Sequence, residues 1–155
     1  FINIIKVEDL LEEIIISFKE TSDVKINLIS DEDRNKINIK RAPELVYGLR
    51  NFIGNAVKFS KSRVKITLKS DEKIIEIKIN DDGPGIPEDV ITKIGEPYIK
   101  SRSKELSSNS GLGLGTFLGK TLLERNNAKL LFKNNGELGG AIVLISWSPK
   151  DFINV

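Results

Sequence analysis

Residues 79–89 read INDDGPGIPED. The strand-like run IIEIKI (74–79) leads into two carboxylates, Asp81 and Asp82, and then into Gly83 and Gly85 around Pro84. Asp, Gly and Pro in this order describe a tight turn. They equally describe a polar hook at the end of a strand, beside a bare backbone that a ligand can approach closely. What stands around the stretch separates the two.

Immediately upstream, RVKITLKS (63–70) and KIIEIKIN (73–80) alternate apolar and polar residues across SDEK, which predicts a β-hairpin. Before them a helix is predicted from Ala42-Pro43, with proline at its first position, to about Ser60. Val7 to Glu20 carries apolar residues at helical spacing, and VKINLI (24–29) and KINIK (36–40) predict short strands around the polar SDEDRN. Downstream, EDVITKI suits a short helix after Pro87. Residues 95–113, GEPYIKSRSKELSSNSGLG, lack periodicity and are rich in Ser, Gly and charge, as lids and binding loops are. A further helix is predicted from about Gly115, then strands KLLFKNN and GAIVLISWS across GELGG. The sum is an α/β fold: a two-layer sandwich whose mixed, mostly antiparallel sheet carries helices on one face.

The chain has 155 residues, 39% apolar and 30% charged, which suits one globular domain with a real core. Its net charge of +2, with both signs spread along the chain, argues against nucleic-acid binding by bulk electrostatics. It contains no cysteine and no histidine, which excludes disulfides, thiolate chemistry, a histidine base and a phosphohistidine on this chain. Methionine is also absent and the first residue is Phe1, so the sequence is expected to be a piece of a longer protein. No apolar run approaches the ~20 residues of a membrane helix, and no signal peptide is visible.

On a helical wheel at ~100° per residue, Leu45, Leu49, Phe52, Ile53 and Ala56 share one face of the 43–60 helix. Asn51, Asn55 and Lys58 fall opposite, within ~60° of one another, flanked by Gly48 and Gly54. Asn and Gly are poor helix formers, and a face meant only for water would more naturally use Glu, Lys or Gln. A drifted solvated face remains one explanation. The other is a helix that shows amide oxygens and an ammonium to a polar ligand. Amide oxygen suits Mg²⁺ carried on a nucleotide phosphate, and Lys58 suits the phosphate.

A second glycine cluster, SGLGLGTFLGKT (110–121), places Gly111, Gly113 and Gly115 before a helix, where bare N–H groups meet a positive helix end. It is not a Walker A loop: Leu114 stands where Gly119-Lys120-Thr121 would need its first glycine, and no strand precedes it. Nor is it a dinucleotide fingerprint, because positions 116 and 118 are Thr and Leu. By itself the cluster fits a lid hinge as well as an anion site.

Taken in order, NFIGNAVKFS, DDGPGIP, the irregular segment and GLGLG resemble the Bergerat-fold (GHKL) superfamily, and within it the catalytic ATP-binding domain of sensor histidine kinases. The resemblance covers about residues 24–148. GEPY, FLGKTLLERNNAKLLF and GGAIVLISWSP look more particularly like the redox-responding RegB/PrrB type. The resemblance implies the following roles. Asp81 accepts the adenine amino group, and Asp82 is a turn residue. Gly83 and Gly85 admit the base, and Ile86 packs against it. Asn55 holds Mg²⁺, while Asn51 and Lys58 contact phosphate. Tyr98 anchors the ATP lid, from which Lys100 and Arg102 reach the γ-phosphate, although Arg102 also suits a plain charged loop. Gly111, Gly113 and Gly115 line the triphosphate. Thr116 stands where the family often has Leu.

Hydrolases of the superfamily place a Glu one turn before the Mg²⁺-binding Asn; here that position is the amide Asn51, which cannot take a proton. The resemblance therefore implies donation of the γ-phosphate of Mg·ATP to a histidine outside this chain, on an upstream dimerisation and phosphotransfer domain. Residues 1–22 would be the connector helix from that domain and 23–155 the catalytic domain, with a cognate response regulator downstream. A monomeric fragment, a homodimeric parent and a cytoplasmic location below a bacterial inner-membrane anchor are implied in the same way. Two alternatives stand beside it: an ATP-hydrolysing or Ser/Thr-phosphorylating relative, and a degenerate nucleotide-sensing docking module.

Overall fold

The computed structural model describes residues 4–30, 37–94 and 114–151. In chain order these form β1 (Ile4–Lys6), α1 (Val7–Lys19), β2 (Lys25–Ser30), β3 (Asn38–Lys40), α2 (Pro43–Phe59), β4 (Arg63–Ser70), β5 (Ile75–Asp81), α3 (Glu88–Ile94), α4 (Leu114–Arg125), β6 (Lys129–Lys133) and β7 (Ile142–Trp147). The main sheet has the order β2–β4–β5–β7–β6.

The β4–β5 hairpin forms as its alternation demands, with Val64 opposite Asp81, Ile66 opposite Ile79 and Leu68 opposite Ile77. Successive side chains of a strand point to opposite faces. One face thus gathers Val64, Ile66, Leu68, Ile75, Ile77 and Ile79, none more than 1% exposed. Helices α1 and α2 cover that face: Val7, Leu10, Leu11, Ile14 and Ile15 join Leu49, Phe52 and Ile53 in the same core. The connector expected at residues 1–22 thus has its helix seated in this core.

Two features depart from the sequence reading. The strands on either side of SDEDRN lie in different sheets. β2 joins the edge of the main sheet parallel to β4, with α2 in the crossover between them, so one of the four pairings is parallel. β3 pairs instead with β1 in a two-stranded ribbon, Ile5 opposite Ile39. The three residues of β1 abut α1 directly and share its apolar character, so nothing in the sequence marks them as a strand.

The glycines of α2 answer to neighbouring helices. A Cβ on Gly48 would meet the Leu123 side chain of α4, and one on Gly54 would lie 3.0 Å from the Phe18 ring of α1. Gly119 of α4 likewise lies against Asn51, 3.1 Å from its Oδ1 to an added Cβ. The polar stripe of α2 therefore faces α4 along part of its length. Past the end of α4 at Arg125, Asn127 takes a positive φ of 69°, and the Ala128 N–H donates back to the Leu123 carbonyl at 3.1 Å.

Candidate functional site

A cleft of about 610 Å³, part of it open to solvent, lies between the C-terminal half of α2, the end of β5 and the start of α4. Phe52, Ile79, Phe132 and Val143 make its apolar walls, and the Phe52 and Phe132 rings meet at 5.7 Å in a tilted pair. Asp81 and Asn55 bring the polar groups.

Asp81 is the last residue of β5 and is 6% exposed. Its Oδ1 accepts the Gly83 N–H at 2.9 Å and the Ala141 N–H at 3.3 Å. Its own N–H donates to the Ala141 carbonyl, and Gly140 N–H donates to the Asp81 carbonyl, each at 3.1 Å. Among the described residues Oδ2 has no partner, so one oxygen is fixed and the other is left for a ligand. Burial raises the carboxyl above its ordinary value; the two amides oppose this, and the charge of Asp82 adds to it.

Gly83 is required by its surroundings: an added Cβ would strike the Phe59 carbonyl at the end of α2. It is buried and supports Asp81 rather than lining the cleft. Gly85, at φ +87°, and Ile86 do line it. Ile86 is held by Asn134, which accepts its N–H at 2.7 Å and donates to its carbonyl at 2.6 Å.

Asn55 lines the cleft from α2. Its Nδ2 donates to the Thr116 hydroxyl of α4 at 3.1 Å and weakly to Asn51 Oδ1 at 3.5 Å. With the amide nitrogen so engaged, the amide oxygen is the atom left to a ligand. A lone neutral oxygen suits Mg²⁺, which keeps several waters and arrives with phosphate. Among the described residues no three His, Cys, Asp or Glu side chains converge as a metal site of their own.

The structure thus brings Asp81, Asn55, Gly85 and Ile86 together. Asn51 is set one turn back, against Gly119, where it steadies Asn55. Lys58 is exposed at the rim, its Nζ 5.3 Å from the centre of the Phe59 ring, which lines the cleft. Gly115 falls in the first turn of α4. Tyr98, Lys100, Arg102, Gly111 and Gly113 lie outside the described residues.

Asp82 is more than a turn residue. Its carboxylate accepts the N–H groups of Lys61, Ser62 and Arg63 at 2.8, 3.1 and 3.2 Å, and the Ser62 hydroxyl at 2.9 Å. Burial opposes its charge, but the Ser62 and Arg63 amides, the Ser62 hydroxyl and the Lys61 amide outweigh it and hold the carboxyl down at about 2. It staples the α2–β4 connection to the end of β5. Sequence reasoning missed Asn134, Gly140, Ala141 and the bond of Thr116 to Asn55. Asn134 falls in the predicted strand KLLFKNN, and Gly140 and Ala141 open GAIVLISWS across GELGG, so all three read as ordinary hairpin residues.

The profile of the histidine kinase-, DNA gyrase B- and HSP90-like ATPase family matches residues 40–150. RegB, a sensor histidine kinase of Cereibacter sphaeroides, is 41% identical over 134 residues, which cover 77% of this chain and 29% of RegB. The chain thus spans less than a third of that relative. The catalytic domain of the histidine kinase ThkA superposes with a TM-score of 0.73 at 18% identity, over 97% of this chain and 99% of that one. The ATP binding domain of PrrB from Mycobacterium tuberculosis does so at 0.69 and 23%, over 94% and 95%. With the sequence match and the shared fold in agreement, the chain belongs to the histidine kinase-, DNA gyrase B- and HSP90-like ATPase family, among the catalytic domains of sensor histidine kinases.

Proposed function

We propose that this chain binds Mg·ATP in the cleft and donates the γ-phosphoryl group to a histidine on a separate dimerisation and phosphotransfer domain. The observation that carries this is the convergence of Asp81 and Asn55 on one cleft with apolar walls. Adenine fits between Phe52, Ile79 and Val143, with its amino group donating to Asp81 Oδ2. A guanine would turn an acceptor oxygen toward the same carboxylate, so Asp81 selects adenine. Asn55 Oδ1 would hold the Mg²⁺, which when bound neutralises charge on the transferring phosphate. Lys58 at the rim adds a cation for the phosphates. Among the solved relatives, ShkA has been seen with AMPPNP and ThkA with the response regulator TrrA.

An amide at Asn51, packed against Gly119, cannot activate water as a base, which favours transfer over hydrolysis. The acceptor must come from elsewhere because the chain has no histidine. A response regulator as next acceptor and a membrane-anchored parent with this domain in the cytoplasm complete the proposal; no described helix is long and apolar enough to cross a membrane.

Calorimetric titration tests the binding. ATP binds the chain and binds more tightly with Mg²⁺. Asp81→Asn lowers the affinity more than about tenfold, because the side-chain amide can turn a donor toward the adenine amino group. Labelled ATP leaves no phosphate on the isolated chain and labels an added histidine-bearing phosphotransfer domain. Phosphate on this chain, or equal ATP affinity in Asp81→Asn, overturns the reading.

A further inference from the structure

We infer that Asn134, on the turn that follows β6, is a positioning residue that sets the Gly85–Ile86 wall of the cleft and through it the affinity for adenine. This deepens the nucleotide reading and rests on it. Asn134 grips one peptide unit edge on: its Oδ1 accepts from the Ile86 N–H at 2.7 Å and its Nδ2 donates to the Ile86 carbonyl at 2.6 Å. Only one orientation of the amide satisfies both, since the reverse would face donor to donor and acceptor to acceptor. Gly85 stands at φ +87° with its Cα close under the same amide; a Cβ there would lie 2.8 Å from Asn134 Oδ1. Beyond Asp82, whose N–H donates to the Arg63 carbonyl of β4 at 3.3 Å, the segment pairs with no strand among the described residues, so Asn134 supplies the pairing that a neighbouring strand would otherwise give it.

The same turn holds the other side of the cleft. Gly140 and Ala141 hydrogen-bond the backbone and the carboxylate of Asp81. Gly136 N–H donates to the Gly140 carbonyl at 3.1 Å, which closes the turn between the two grips. One short segment thus spaces Ile86 from Asp81. A flat base must fill the gap between them, so an error in that spacing is felt as lost contact with the ring.

The test compares wild type, Asn134→Ala and Asn134→Asp in titrations with Mg·ATP and with AMP. Asn134→Ala lowers both affinities by the same factor, roughly tenfold for two lost hydrogen bonds, because the loss lies at the base and not at the phosphates. Asn134→Asp keeps the acceptor for the Ile86 N–H but, when ionised, sets a charge against the Ile86 carbonyl. Protonated, its hydroxyl donates there and reproduces the amide. The ratio of wild-type to Asn134→Asp affinity therefore falls toward one as the pH is lowered into the carboxyl range. The ratio for Asn134→Ala, which adds no charge near Asp81, stays flat. Thermal unfolding without nucleotide establishes that each variant is folded at the pH used. Equal affinities in Asn134→Ala and wild type, or a pH-independent ratio for Asn134→Asp, overturn the inference. Absence of binding by wild type defeats the nucleotide reading itself, a separate outcome.

Discussion

Asp81 and Asp82 are neighbours in sequence and opposites in physics. The carboxyl of Asp82, down at about 2 from its usual 3.8, favours the folded state most when ionised. A depressed folded value means that this stabilisation is complete above pH 3.8 and is lost as the pH falls toward 2. Asp82→Ala should lower unfolding stability by about 2 kcal/mol at neutral pH, since three amides and a hydroxyl lose their acceptor. The gap between variant and wild type in urea titrations should close as the pH approaches 2. Asp81 has the contrary sign. Its raised value means that the fold prefers it protonated, and stability is lost as the pH rises through that folded value. An ionised hook is thus kept against the preference of the fold, as a ligand site requires. Both residues stand in one stretch that the sequence singles out. Gly83 apart, their partners do not, because they lie 19 to 21 residues away for Asp82 and 60 for Asp81, at Ala141. Periodicity carries no information at that range.

Helices α2 and α4 touch through missing side chains. Leu123 occupies the place of a Gly48 Cβ, and Asn51 crowds that of Gly119. Gly48→Ala should lower stability by ~1–3 kcal/mol, since the neighbour is a buried branched carbon with little room to yield. The midpoint of thermal unfolding reads this directly. Adding Leu123→Ala should return part of the loss, a coupling that two independent mutations would not show. On the proposed Mg·ATP binding, a shift of α4 that lengthens the Thr116–Asn55 bond should shrink the gain in ATP affinity on adding Mg²⁺ in Gly48→Ala. Sequence alone locates the polar stripe of α2 and the poor helix formers beside it, but it assigns those glycines no partner. The apolar periodicity reports which face of a helix is buried, not which element buries it. For the same reason β2 and β3 are legible as strands while their separation into two sheets is not.

A single core joins α1, α2 and the sheet, and this decides what can be cut away. Val7, Leu10, Leu11, Ile14 and Ile15 are at most 4% exposed, and each would contribute about 1.5–3 kcal/mol by burial. Together, at about 7.5–15 kcal/mol, these are as large as the whole net stability of an ordinary domain, about 5–15 kcal/mol. A chain beginning at residue 23 should therefore fail to unfold cooperatively and should not bind ATP. The lone tryptophan reports on it: Trp147 is 3% exposed and its indole donates to the Asn126 carbonyl, so a red-shifted emission in the shortened chain would mark the loss. A native spectrum would show that α1 is dispensable. Not every buried residue contributes in that way. Asn80 precedes Asp81 and points to the opposite side of the sheet, where Gly136 lies over it. It is 1% exposed, and among the described residues neither atom of its amide has a partner. Dry, unmatched dipoles of this kind weaken a fold. This backbone could accordingly support a tougher protein than its present sequence yields, and residue 80 offers a handle for engineering robustness from behind the active face.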